Sequence, residues 1–392
     1  MTHALIIGGG IAGPVAAMAL DQAGITATVY ERHNQPADGV GGLIGLAPNG
    51  LAALATVGLA EPVEAISLPV RSMAMFAGTG RKLAEFGGDP AFHAVWRSEL
   101  YRVLEREARA RGVRFEYGKR LNDITQDDGS VTAHFADGTS ATADVLVGAD
   151  GIRSTVRTLI DPSAPRPRYT GLVSFGGRPT VPLRVPSTHG SFHMFYGRNA
   201  VFAYFADNDG NTGWYVNMPS PQPVAARDVD ADEWLRRLAA LFTEDTSPAT
   251  EIIRASDPAE LVIAGAIDDL PDVPRWSDGR MVIIGDAAHA TSPSSGQGGS
   301  MAIESGVQLA RCLRDFPSVS DAFRGYELLR RERVSRVIEH GRRTDAMKAP
   351  GPIMRAILPV VMKLLVRPGK YAWMADYRID FDAAVAGAPA RA

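Results

Sequence analysis

The feature that most constrains this chain sits at its start. Apolar residues 4–7 read as a strand, and Gly8-Gly9-Gly10-Ile11-Ala12-Gly13 follows at once. Residues 14–23 then read as a helix ended by Gly24, with Pro14 in the first turn, where a missing N–H costs nothing. Residues 26–30 form a second strand that stops at Glu31. Strand, GxGxxG turn, helix, strand and acidic end come in the order that a parallel dinucleotide-binding unit requires. The amides of Ile11 and Ala12, at the helix start, are placed to take a pyrophosphate. Glu31, eighteen residues after Gly13, is placed to accept a hydrogen bond from a ribose 2′-OH and would repel a 2′-phosphate there.

A second stretch, residues 281–313, has comparable content. Residues 281–284 read as a short buried strand ending at Gly285, and Asp286 follows at the carboxyl end, where open α/β sheets place their ligands. A polar loop with Pro293 runs into Gly296-Gln297-Gly298-Gly299-Ser300. Helical spacing is expected after Ser300, from Met301, Ser305, Gln308 and Leu309. This loop delivers glycine backbone, unpaired amides and the positive end of a helix to one spot beside a carboxylate. A carboxylate for a polyol next to a helix start for an anion suits the ribityl chain and ring of a flavin. An ordinary strand–loop–helix connection has the same outline.

Between the two lies residues 143–147, an apolar strand followed by Gly148-Ala149-Asp150-Gly151. Asp150 could bind a ribose or ribityl hydroxyl or could cap the helix after it. Two aspartates after buried strands, in a chain that opens with GxGxxG, tilt the reading towards a ligand. Residues 39–50 form another glycine-rich segment, read as a loop that approaches the ligand edge-on or is simply mobile, the first reading being preferred. Arg97 lies at a helix start, with Ser98 as the expected N-cap of a helix over 99–111. Residues 70–86 read as a hairpin around Gly78–Gly80, and 113–117 and 131–135 as strands, the latter followed by a tight turn at Asp137-Gly138. From 171 to 219 the pattern is β and rich in aromatics, with a hairpin turn at 208–212; most of these rings read as core, and His193 as a packed or exposed side chain. Proline-bearing crossings at 161–167 and 270–274 bracket that region. A helix over 322–347 carries many arginines, read as a solvated face. Residues 353–366 read as a further helix, and the last residues, 387–392, as a disordered tail.

The chain has 392 residues, 45% hydrophobic and 22% charged, enough for two domains with ample core. A net charge of −3 with no basic tail argues against nucleic acid. Cys312 is the single cysteine, so no intrachain disulfide forms; with no cleavable apolar leader in view, a cytoplasmic setting is expected. No stretch reaches the length of a membrane span.

Taken together, GxGxxG with Glu31, Asp150-Gly151, and Gly285-Asp286 with the 296–299 loop resemble the FAD-dependent aromatic hydroxylases, the group A flavoprotein monooxygenases with the para-hydroxybenzoate hydroxylase fold. The resemblance covers roughly residues 3–345. It implies an α/β chain with a Rossmann-like FAD-binding domain, an inserted β-sheet substrate domain and C-terminal helices. The expected division is 1–69, 97–166 and 277–345 for FAD, 70–96 and 167–276 for substrate, and 346–392 as a helical segment and tail. It implies that Gly8, Gly10, Gly13 and Glu31 bind the ADP part of FAD, that Arg32 and Arg97 touch the cofactor, and that Asp286 takes the ribityl chain. Pro293, Gly296, Gly298, Gly299 and Ser300 would lie beside the flavin ring, and Asp150 would serve FAD and pyridine nucleotide. The activity implied is an NAD(P)H-consuming monooxygenase that inserts one atom of O2 into a small aromatic or polyketide-like substrate through a C4a-hydroperoxyflavin. An epoxidase, a Baeyer–Villiger oxygenase or a non-oxygenating FAD-dependent reductase remains open at this stage. The motif of flavin halogenases is missing. No residue is marked as a catalytic base, and no metal site is indicated.

Overall fold

The computed structural model describes residues 3–36, 41–179, 185, 187–207, 212–224, 229–348 and 372–388. Two sheets dominate. The first has six strands in the order Ser277–Asp278, Met281–Ile283, Val145–Gly148, His3–Ile7, Thr26–Tyr30 and Arg114–Glu116. All its neighbours run parallel except the two-residue edge strand Ser277–Asp278. Strands buried on both faces need continuous apolar sequence, and Ala4–Ile7 and Val145–Val147 are buried throughout. The Ala12–Gln22 helix packs on this sheet beside the Gly298–Asp315 helix, whose residues 300–313 are all buried.

The second sheet has eight strands in the order Val262–Asp269, Arg168–Gly177, Thr212–Pro219, Val201–Ala206, Ser191–Tyr196, Leu68–Ala77, Lys82–Trp96 and Leu43–Leu46. Its outer face packs Phe175, Phe202, Trp214 and Val216 against the Ala231–Ala240 and Ala249–Arg254 helices. A three-stranded sheet, Leu121–Gln126, Val131–Phe135 and Ser140–Ala143, completes the β structure. Among the described residues, no helix is long and apolar enough to cross a membrane.

Several expectations shift. The glycine-rich 39–50 segment is not simply a loop: Leu43–Leu46 is an edge strand of the second sheet, paired with Lys82–Trp96. The second sheet therefore draws on sequence before residue 70. Ser98 caps nothing; the helix is Arg97–Ala110, entered from extended Trp96 with no side-chain cap. The helix after the second glycine loop starts at Gly298, before Ser300, because Gln297 already accepts the first helical bond from the Met301 amide. The 353–366 helix and most of the 208–212 turn and of the tail lie outside the described residues.

Candidate functional site

The first glycine turn is shaped by close approach. Gly8 has φ +111°, and a Cβ there would meet the Ala149 carbonyl oxygen at 2.4 Å. A Cβ on Gly13 would lie 2.0 Å from the Gly8 oxygen, so the helix can sit on the turn only without one. Gly10 differs: nothing stands within 4 Å of its ideal Cβ. The Ala12–Gln22 helix has no side-chain cap and no acid in its first turn, which leaves its amides to an anion. Glu31 closes the turn from the next strand, its carboxylate accepting from the Gly9 amide at 2.8 Å and the His33 amide at 3.0 Å.

The second aspartate turn is placed beside the first. Gly285, at φ +58°, sits where a Cβ would lie 3.0 Å from Ala12 Cβ and 3.3 Å from Ala302 Cβ. This bare backbone joins the Ala12–Gln22 and Gly298–Asp315 helices. Asp286 follows in the first turn of the Asp286–His289 helix, with its carboxylate open to a cleft and no hydrogen-bond donor on it among the described residues. Its surface is reached through that cleft while protein encloses the rest. This enclosure raises its pKa, and the charge of Arg97 opposes the rise.

The cleft, of about 1910 Å³, is lined by both sheets. All the candidate site residues line it except Gly13, Gly285 and Ser300. Gly13 and Gly285 act in packing. Ser300 is fully buried and its Oγ accepts from the Ala47 amide at 3.0 Å, so it ties the helix start to the Pro48–Thr56 helix instead of facing the cleft. A Cβ on Gly298 would find only Thr291 Cγ2, at 3.8 Å, and one on Gly296 nothing within 4 Å, so this loop presents backbone to open space. Arg97 reaches Tyr101 Oη, at 2.6 Å from Nη2. Asp150 is engaged locally: it accepts from the Thr155 and Val156 amides at 2.7 and 3.1 Å and from the Ser154 hydroxyl. Helix capping thus accounts for its side chain, and burial holds its pKa up despite those donors.

Sequence reasoning missed the support beneath this site. Arg330, read as part of a solvated face, is fully buried and pairs with the equally buried Glu304. Arg333 joins at 2.8 Å. Asn49 bonds Glu304 at 2.7 Å and the Gln297 side chain at 2.9 Å, which fixes the residue that starts the cleft-facing helix. His289 and Ser305 continue the cluster at 2.8 Å. Glu304, between the apolar Met301–Ile303 and Val307 on one helix, was the available signal.

The donor set fits FAD: an open, uncapped helix start, a cleft-lining glutamate at the end of the next strand, and an unpaired aspartate with a second bare helix start in the same cleft. Comparison with known proteins agrees. A model described as "FAD binding domain" matches residues 1–340. The FAD-dependent urate hydroxylase of Klebsiella pneumoniae subsp. pneumoniae is 30% identical over 348 residues, covering 87% of this chain and 88% of that protein. The 6-hydroxynicotinate 3-monooxygenase of Pseudomonas fluorescens is also 30% identical, covering 85% and 88%. The crystal structure of Klebsiella pneumoniae HpxO with FAD and uric acid superimposes with a TM-score of 0.84 at 28% identity, over 96% of each chain. The chain belongs to the FAD-binding-domain family of flavoprotein aromatic hydroxylases and is an FAD-dependent monooxygenase.

Proposed function

We propose that the chain consumes NAD(P)H and O2 to insert one oxygen atom into a small aromatic molecule held against the second sheet. The balance is NAD(P)H, a proton, O2 and an aromatic C–H giving NAD(P)⁺, water and an aromatic C–OH. Bound FAD supplies the redox chemistry, accepting the hydride and activating O2. The chain's own residues bind, orient and exclude water.

The amides of Ile11 and Ala12 take the pyrophosphate, where Gly10 leaves room. Glu31 accepts from the adenosine ribose with the lone pairs that Gly9 and His33 leave. Asp286 accepts from ribityl hydroxyls. Arg32 and Arg97 supply positive charge along the cleft wall. The backbone of Gly296, Gly298 and Gly299, with Pro293, gives the ring a flat support. The start of the Gly298–Asp315 helix favours negative charge at the ring by about 0.3–1 kcal/mol, or up to ~2 kcal/mol when partly buried. Asp150 acts through the turn it caps. The observation that carries the reading is the unpaired Asp286 carboxylate in a cleft shared with the uncapped start of the Ala12–Gln22 helix.

The test is direct. Denaturing the purified protein should release FAD, and an aromatic panel should reveal substrate-dependent NADH or NADPH oxidation, matched by O2 uptake and a product one oxygen heavier. FMN alone, no flavin after reconstitution with FAD, or NAD(P)H oxidation without O2 uptake would overturn it.

A further inference from the structure

We infer that the substrate is an uncharged, largely apolar aromatic molecule, oriented by phenol hydroxyls and not by a cation. This rests on the monooxygenase reading above and narrows its substrate class. The cleft-facing side of the second sheet follows from its register. Met75 pairs with Met194, Met194 with Ala203 and Ala203 with Tyr215, so their side chains share one face. Met73 and Phe192 form the next row, and Tyr196, Val201 and Asn217 the row on the other side. Phe192 stacks with Tyr215 at 5.9 Å between ring centres and meets Phe92 edge-on at 5.9 Å. Three thioethers, of Met73, Met75 and Met194, and a cluster of aromatic rings make a surface that grips a flat apolar ring and adapts to its outline.

The polar atoms on this face are neutral. Tyr196, Tyr215 and Asn217 line the cleft, and all are buried except at that surface. Burial pushes the Tyr196 phenol up to about 12, and pushes Tyr215 up as well, so both stay protonated donors at physiological pH. No described side chain on these rows is charged. Glu85 belongs to the opposite face, where it takes the Ser72 hydroxyl and Lys82. His93, at the sheet's far edge, bonds Ser67 Oγ at 2.7 Å, and burial lowers its pKa, which keeps it neutral. Arg378 donates to the carbonyls of Ala375 and Tyr377. A carboxylate placed on these rows would lose water and find no charged side chain on them, since the cleft's arginines, Arg97 and Arg378 among them, lie outside this sheet.

The experiment uses the FAD-loaded full-length protein and two matched probe pairs: phenol with 4-hydroxybenzoate, and 2-naphthol with 6-hydroxy-2-naphthoate. Binding is read by the change in flavin fluorescence. The uncharged member of a pair should bind on the order of tenfold tighter or better, and Tyr196→Phe should weaken it by roughly tenfold, one lost hydrogen bond. Met194→Arg should reverse the preference. Equal or tighter binding of the carboxylates by the unaltered protein, or no response to either uncharged probe, overturns the inference without recourse to any variant. FAD content and O2 uptake on the same preparation test the monooxygenase reading separately: FAD retained with carboxylates preferred removes only the substrate class.

Discussion

At the scale of single residues, Glu31 has two tasks. It holds Gly9 and His33 by their amides and leaves acceptor capacity for a ribose. Hydrogen bonds to a charged acceptor contribute about 1.5–3 kcal/mol, so Glu31→Ala should raise the FAD dissociation constant roughly 10- to 150-fold. Titration of the apoprotein checks this, and an unchanged constant in a folded variant would count against the assignment. His289 makes a different prediction. Burial, then the neighbouring Arg330 charge, lowers its pKa from 6.5 to about 3, while Glu304 pulls the other way. The folded value lies below the unfolded one, so the unfolded chain takes up the proton first as pH falls. The stabilisation is complete above 6.5 and declines below it by about 1.4 kcal/mol per pH unit. Urea unfolding of the protein and of His289→Gln between about pH 6 and 4.5 should differ in slope by one proton; identical slopes would refute it. The place of Glu31 beside the glycine turn was legible from the sequence, because it follows from position at the end of a strand. His289 was not, because its neutrality comes from burial and then from the Arg330 charge, both set by how distant segments pack.

At the scale of elements, the two glycine segments behave differently. Gly13 and Gly285 allow protein to touch protein, whereas Gly298 meets only one distant methyl group. Gly298→Val should therefore fold, lose flavin and oxygenation, and keep weak ADP affinity; a variant with full FAD content and an unaltered flavin reduction potential would refute the assignment of this loop to the ring end. Glu304→Ala should act on the fold itself. It strands Arg330 in the interior without its counter-ion, at a cost of about 3–5 kcal/mol measurable by denaturant titration, whereas Glu304→Leu with Arg330→Met should cost far less. The strands and helices of the first sheet were readable because unbroken apolar runs and glycine turns are local signals. The Arg330–Glu304 pair was hidden because the Val319–Lys348 helix shows charge on its face in sequence, and only its packing on the Gly298–Asp315 helix decides which arginines lose water.

At the scale of the whole molecule, the second sheet is fastened to the long C-terminal helix through buried Asp269. Arg168 approaches it at 2.6 Å and Arg342 at 3.1 Å. Asp269→Ala should lower stability by about 1–3 kcal/mol, less than a fully buried pair would, since both arginines keep contact with water. A melting temperature unchanged from the parent protein would show that the clamp is idle. That the second sheet is β and aromatic was legible. Which rings face the cleft was not, because that depends on register and on the recruitment of Leu43–Leu46 to its edge.

The order of the first sheet also sets a timetable. His3–Ile7 is made first, yet its neighbour Val145–Gly148 follows some 140 residues later, and Met281–Ile283 must still add beyond that. At about 5–20 residues per second, a ribosome needs roughly 15–60 s to reach residue 300. Throughout that interval the glycine turn has emerged but Ala149, Gly285 and Ala302, which hold it in shape, have not all joined it. The Ala4–Ile7 strand therefore has both of its sheet neighbours once residue 148 is made, whereas the glycine turn beside it is held on every side only after residue 302, about three quarters of the way through synthesis.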